Sequence, residues 1–103
     1  MSNKFSEIIK GETPTLVDFF AEWCGPCKMM KPVLEELKSN MGENVKILKI
    51  DVDQNPQIAA VFQIQSVPTL MLFKSGNIVW RQSGVVPAGQ LQNIIENIKT
   101  NEG

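Results

Sequence analysis

The chain has 103 residues, 43% of them hydrophobic, and its ten basic and eleven acidic side chains leave a net charge of −1 at pH 7. This length predicts a single domain over residues 1–103 that can bury a core without disulfide staples or a structural metal. A charge so close to zero sets up no field that would collect phosphates, and no apolar run approaches the ~20 residues that span a bilayer, so we expect no nucleic-acid partner and no membrane contact.

The N-terminal residues predict a short helix and no secretory signal. Residues 3–10 place Phe5, Ile8 and Ile9 on one helical face, and Gly11 ends the pattern. The start of the chain, Met1-Ser2-Asn3-Lys4-Phe5-Ser6-Glu7, lacks the apolar central segment of a signal peptide. We therefore expect a cytoplasmic protein, although a mature chain whose signal had been removed would have the same sequence.

A strand and a long helix follow. Residues 15–20 are too short and too rich in β-favouring residues for a helix, and they predict a strand that is covered on both faces. From Cys24 to Met41 the apolar residues step by three and four, which predicts an amphipathic helix that Gly42 ends. Pro32 lies inside this helix and is expected to kink it, because the carbonyl one turn earlier loses its donor.

The next two segments predict a strand and a short helix. Residues 45–52 contain five valine, leucine and isoleucine residues, and we interpret them as a second buried strand. Asn55 is in place to cap a helix that Pro56 opens and that extends to about Phe62.

The last third predicts a hairpin and a final helix. Residues 69–73 and 78–83 are strands joined by a turn over residues 74–77. Pro87 opens the final helix, whose apolar stripe consists of Leu91, Ile94, Ile95 and Ile98. A strand–helix–strand unit followed by a hairpin implies an α/β fold, in which helices cover both faces of a mixed sheet.

The central motif is a cysteine pair where the first strand passes into the long helix, in the segment Trp23-Cys24-Gly25-Pro26-Cys27-Lys28. A helix N-terminus carries partial positive charge and unpaired N–H groups, which favour a thiolate and predict a lowered pKa for Cys24. Cys27, one turn further along the apolar stripe, is expected to be the more buried sulfur. Pro26 fits the first turn, where the donor that it removes has no partner.

This asymmetry predicts thiol–disulfide exchange. The chain contains two cysteines and no histidine, which excludes a four-ligand zinc site within one copy and any Ser-His-Asp or Cys-His catalytic set. An exposed Cys24 thiolate would attack a disulfide in another protein, and Cys27 would then attack the Cys24 sulfur and release the reduced partner. Half of a metal site or two inert core cysteines are the alternatives.

The residues around the motif resemble the thioredoxin family in unbroken register from about residue 14 to the C-terminus. The matching segments are residues 17–22 before the motif, and Asp53-Gln54-Asn55-Pro56, Val67-Pro68-Thr69-Leu70 and Phe73-Lys74-Ser75-Gly76 after it. The resemblance implies a thioredoxin-like three-layer sandwich.

The resemblance also implies roles for the cysteines and for two charged residues. Cys24 would be the nucleophile and Cys27 the resolving thiol, supported by the Gly25-Pro26 turn between them. Asp18 would be the family's buried acid that accepts the proton of Cys27, and Lys49 would be its partner on an adjacent parallel strand. The residues alone support the role of Asp18, because a carboxylate in a strand buried on both faces is costly and burial raises its pKa.

A substrate-binding surface is implied beside the cysteines. Val67-Pro68 corresponds to the family's cis-proline loop, which exposes backbone groups for an extended substrate. Trp23, Gly84 and Val85 would line the same surface.

Two departures from the family are visible. The chain begins about where the family's first helix begins, so its leading strand is expected to be absent. A sheet of about four strands would remain, with residues 45–52 at an edge. Phe20 stands where the family commonly has tryptophan, which changes packing but not the sulfur chemistry.

The leading hypothesis is a monomeric protein-disulfide reductase that needs no cofactor, acts on disulfide-containing client proteins and is recycled by thioredoxin reductase, as the resemblance implies. One alternative is a thiol oxidant or isomerase in an oxidising compartment, against which Gly25-Pro26 and the missing signal argue. A second is a binding module that docks clients around Trp23 and Pro68 and uses redox state as a switch. A third is a zinc site shared between two chains.

Overall fold

The computed structural model describes the backbone of residues 3–101 and the side chains of residues 4–98. Within this range the helices and strands follow one another in the predicted order. They are α1 (Asn3–Ile9), β1 (Thr15–Phe20), α2 (Gly25–Met41), β2 (Lys46–Asp51), α3 (Pro56–Val61), β3 (Thr69–Lys74), β4 (Asn77–Ser83) and α4 (Ala88–Asn101), with a 3₁₀ turn (Gly42–Asn44) after α2.

The four strands form one mixed sheet in the order β2-β1-β3-β4. β1 runs parallel to β2, in a register that puts Asp18 beside Lys49, and antiparallel to β3, while β3 and β4 form a hairpin. The predicted four-stranded mixed sheet with β2 at an edge is therefore confirmed, as is the parallel neighbour expected for Asp18.

Alternation along the strands sends consecutive side chains to opposite faces of the sheet, and each face has its own core. Leu16, Leu70 and Leu72 pack with the buried residues of α2 and α4. Val17, Phe19, Met71 and Phe73 pack on the other face with Phe5 and Ile9 of α1 and Ile58 of α3. Helices thus cover both faces, which confirms the three-layer sandwich.

Helix α2 is the element that positions the cysteine pair. Its buried residues step by three and four, as predicted: Cys27, Met30, Leu34, Leu37 and Met41. Gly42 ends it with φ at +55°, a conformation that side chains disfavour, and Lys38 Nζ donates to the carbonyls of Gly42 and Val45, each at 2.8 Å. The helix continues through Pro32, where the expected kink stays a prediction.

Two sequence predictions are wrong in detail. The strand over residues 45–52 is not buried throughout: most of β2 is half-buried or exposed, because an edge strand has a neighbour on one side only. Asn55 precedes Pro56 as expected, but its side chain makes no cap to the helix. Its Nδ2 donates instead to Asp51 O at 3.0 Å, so that it ties α3 to the end of β2.

Candidate active site

Cys24 and Cys27 form a disulfide at the N-terminus of α2. Cys24 is the N-cap residue, with extended backbone angles, and its Sγ accepts a hydrogen bond from the Cys27 N–H at 3.1 Å. Side-chain acceptors at this position satisfy N–H groups that have no partner within a helix. The first turn therefore places a hydrogen-bond donor and the positive end of the helix dipole on the Cys24 sulfur.

The expected difference in exposure between the two cysteines is wrong for this disulfide form. Cys24 is 4% exposed and Cys27 is 7% exposed. Both pack with Ala21 and with the partly buried Phe20 and Val67. Cys24 is covered because Val67 O, on a loop 43 residues away in sequence, lies 3.6 Å from its Sγ.

Asp18 lies in the middle of β1 and is 1% exposed. Neither of its carboxyl oxygens has a hydrogen-bond partner among the described residues. Burial raises its pKa from 3.8 to about 6, and the positive charge of Lys49 opposes this rise. An acid with this pKa is ionised at neutral pH and still basic enough to accept a proton.

A pocket of about 240 Å³ opens beside Cys27. Its walls include Phe20 and Lys49, and Lys49 Nζ lies 5.4 Å from the centroid of the Phe20 ring. Lys49 is next to Asp18 in the strand register, and its positive charge opposes the rise in the pKa of Asp18. Lys49 also lines the pocket beside Cys27, so it belongs to the surroundings of both the buried acid and this cysteine.

The Val67–Pro68 peptide bond is cis, as in the loop that the resemblance implied. Gly84 N donates to Pro68 O at 2.8 Å, which joins this loop to the residues after β4. Gly84 has φ at +95°, a conformation that a side chain would strain. Val85, beside it, is half-buried and packs against the α2–α4 core.

Trp23 is exposed over 72% of its surface, beside the nucleophile candidate, as expected of a docking residue. Its indole Nε1 donates to Asp53 Oδ2 at 2.9 Å. With Val67 it lines a shallow hollow of about 140 Å³. The other lining residues are Val52, Ile64, Gln65 and Ser66.

The sequence reasoning missed Asp53 and the other residues of this hollow. The sequence contained a signal for Asp53. Asp53 follows β2 and Trp23 follows the parallel neighbour β1, so both residues lie at the carboxyl ends of adjacent strands.

Gly25 and Pro26 are exposed in the first turn of α2.

The described residues contain no group of three or more cysteine, aspartate or glutamate side chains placed to hold a metal. In the same part of the chain no helix has the length and apolar character needed to cross a bilayer.

The family model for thioredoxin matches residues 1–97. A thioredoxin-like protein of Synechocystis sp. is 51% identical over 88 residues, which are 84% of each chain. The thioredoxin of Alicyclobacillus acidocaldarius is 48% identical over 88 residues, covering 85% of this chain and 84% of that protein.

Solved structures give the same result at the level of the fold. A thioredoxin mutant from Halobacterium salinarum superimposes with a TM-score of 0.85 at 34% identity, covering 94% of this chain and 84% of that one. Oxidised mitochondrial thioredoxin 3 of Saccharomyces cerevisiae superimposes with a TM-score of 0.81 at 35% identity, covering 91% and 87%.

Proposed function

Because the chain belongs to the thioredoxin family and is a thiol-disulfide oxidoreductase with protein-disulfide reductase activity, we propose that this activity uses Cys24 as the nucleophile and Cys27 as the resolving thiol. The observation that carries the assignment is the hydrogen bond from the Cys27 N–H to Cys24 Sγ at the start of α2. The helix terminus and this donor both stabilise negative charge on Cys24, and no equivalent donor is aimed at Cys27 in the described residues.

The exchange begins from the reduced pair. The Cys24 thiolate attacks one sulfur of a client disulfide, a Cys24–client bond forms, and the other client sulfur leaves and takes a proton. Cys27 then loses its proton and attacks Cys24 Sγ, which forms the intramolecular disulfide and releases the second client thiol. Two electrons pass from the cysteine pair to the client.

We assign the proton of Cys27 to the Asp18 carboxylate. With its pKa raised to about 6, Asp18 is largely ionised at pH 7 and can accept a proton. Its burial and its lack of a hydrogen-bond partner among the described residues support this role, since neither feature stabilises the fold. Lys49 would be a positioning residue for this proton transfer, because its positive charge lowers the pKa of Asp18.

We propose that the client lies across Trp23 and the backbone of Val67, with Pro68 and Gly84 shaping the surface. The shallow hollow and the exposed indole suit an extended chain whose disulfide faces Cys24. Thioredoxin reductase recycles members of this family. We propose the same donor here and a location in the cytoplasm, where thiols are kept reduced.

The reduction potential of the Cys24–Cys27 pair tests the direction of the reaction. The protein is equilibrated against glutathione buffers, and its thiols are trapped and counted by mass. We expect a value near the roughly −270 mV that is established for thioredoxin. A value near about −180 mV or higher would indicate an oxidant or isomerase. A pair that forms no reversible disulfide would leave only the binding module.

Matched variants test which cysteine attacks. With a peptide dimer joined by one disulfide, Cys27→Ser should accumulate a mixed disulfide on Cys24, because nothing resolves it. Cys24→Ser should accumulate none and release no thiol. Non-reducing mass spectrometry reads both, and accumulation on Cys27 in the second variant would reverse the assignment.

A further inference from the structure

The outer edge of β2 presents backbone groups that the sheet does not use. Lys46 N donates to Pro14 O and Val52 N donates to Phe20 O, each at 2.9 Å, so this alternate set of residues faces β1. In a parallel pair the residues between them direct N–H and C=O the other way. Ile47 and Lys49 therefore turn their backbone groups to the edge, and the described residues supply no partner strand there.

A groove of about 540 Å³ lies along this edge, between β2 and α2. We call it the β2 groove. Its apolar side chains are Leu34 and Ile47, and the charged side chains on its walls are Lys31, Lys38, Lys49 and Glu35. Lys46 borders the groove as well, but its Nζ is directed away from it, toward Gly11 after α1. An open edge beside an apolar floor is the arrangement to which extended peptides add as an extra strand.

The charge of the β2 groove selects its occupant. Three lysines stand against one glutamate, although Lys38 already donates to two backbone carbonyls. Lys31 and Lys49 are exposed. A second copy of this chain, pairing through its own β2, would bring lysines against lysines, which is unfavourable across a strand pair.

We propose that the β2 groove binds an extended acidic segment of a partner protein, which adds to the sheet as a strand beside β2. Backbone hydrogen bonds to Ile47 and Lys49 would fix the strand. Carboxylates on alternate residues would meet the lysines of the α2 side. Lys31 and Lys49 also line the pocket beside Cys27, so a segment bound here would run toward the cysteine pair.

An NMR titration of the whole protein with an end-blocked, eight-residue peptide of alternating glutamate and valine tests the proposal. The amide signals of Ile47 and Lys49 should shift on binding, and 0.5 M salt should weaken the affinity by about tenfold. Methylating alternate peptide nitrogens, on the edge that faces β2, should weaken it by at least about tenfold, because added strands depend on those donors. A lysine–valine peptide should not bind.

Glu35→Lys is the test variant, and Glu7→Lys on α1 is its control. Both change the same charge at an exposed site, but α1 packs on the opposite face of the sheet. We expect Glu35→Lys to strengthen binding of the acidic peptide by about fivefold and Glu7→Lys to change it by less than about twofold. Disulfide reduction should be unchanged in both.

Three results would overturn the proposal. They are no binding of the acidic peptide, equal binding of the methylated and unmethylated peptides, and sedimentation of the free protein as a dimer whose Ile47 and Lys49 amides are protected. The last result would assign the edge to a second copy. None of them bears on the cysteine chemistry, which the reduction potential tests separately.

Discussion

Asp18 is a buried carboxyl group in the sheet, and the free energy that its burial costs depends on pH. It is 1% exposed, without a hydrogen-bond partner among the described residues, and burial raises its pKa from 3.8 to about 6. The native state therefore holds this proton at pH values where the unfolded chain has lost it. Below pH 3.8 both states are protonated and the carboxyl is neutral. Stability therefore falls as pH rises from 3.8 to about 6, and above 6 the native state buries a charge and the loss is complete.

Replacing this carboxyl with the neutral amide in Asp18→Asn should therefore stabilise the protein at pH 7.5. The rise of the pKa to about 6 corresponds to about 3 kcal/mol of unfolding free energy. Because burying the amide also costs free energy, the variant should gain only part of this, about 1–3 kcal/mol. At pH 3.5 the gain should vanish. Urea unfolding at both pH values measures it, with exposed Glu36→Gln as a control that stays within about 0.5 kcal/mol.

The same variant should be slower in catalysis although it is more stable. Without a proton acceptor, release of the client from the mixed disulfide should slow by at least about tenfold at pH 7, and its dependence on a group with a pKa near 6 should disappear. Rapid-quench single turnover measures this step. An unchanged rate and pH profile would remove Asp18 from the proton path.

At the scale of elements, the loop between α3 and β3 places Val67 against Cys24. α3 ends in a Schellman motif: Gln63 N donates to Ala60 O, Ile64 N donates to Ala59 O, and Gln63 has φ at +53°. A left-handed glutamine costs roughly 1 kcal/mol, which other contacts must offset. Arg81 of β4 provides two, because its guanidinium donates to Phe62 O at 2.6 Å and to Gln63 O at 3.0 Å.

Arg81→Met keeps an apolar stem and removes both donors. We expect the unfolding free energy to fall by about 1 kcal/mol, since hydrogen bonds from an exposed charged group are partly replaced by water. The Ile64 amide should exchange its hydrogen about fivefold faster, because about 1 kcal/mol corresponds to that factor. Hydrogen-exchange NMR measures it, with the exposed neighbour Gln82→Met as the control. Equal exchange in both variants would show that Arg81 does not hold the loop.

At the scale of the whole molecule, one sheet separates two cores and should make them unfold together. Leu72 and Phe73 are adjacent on β3 but pack on opposite faces, with α2 and α4 on one side and α1 and α3 on the other. The sheet is common to both clusters, so the loss of either exposes the other. We therefore propose that the chain unfolds as one unit, in line with the single domain that its length predicts.

Leu72→Ala and Phe73→Ala should each lower the unfolding free energy by about 3–5 kcal/mol, since both side chains are buried and leave cavities. Calorimetry should give one transition for the parent and for both variants. Met29→Ala, at a side chain 61% exposed, is the control and should cost under about 0.5 kcal/mol. A separate early transition in one variant would divide the chain into two folding units.

Much of the fold follows from periodicity that is local in sequence. The stripe along α2 and the Cys24–Cys27 spacing predict both the helix and its chemistry, because residues three and four apart share a helix face wherever the helix lies. Asp18 is recognisable as costly because it interrupts a short apolar run that predicts a strand buried on both faces. The strand at residues 45–52 is apolar enough to suggest burial, but its place at the edge depends on which strands pair with it.

Tertiary structure alone decides the features that join distant residues. Val67 covers Cys24 across 43 positions, and Trp23 bonds to Asp53 across 30. The lysines of the β2 groove converge from α2 and β2. A periodic sequence indicates which face of an element is buried, but these contacts depend on strand order and register, which arise only when the whole sheet has formed.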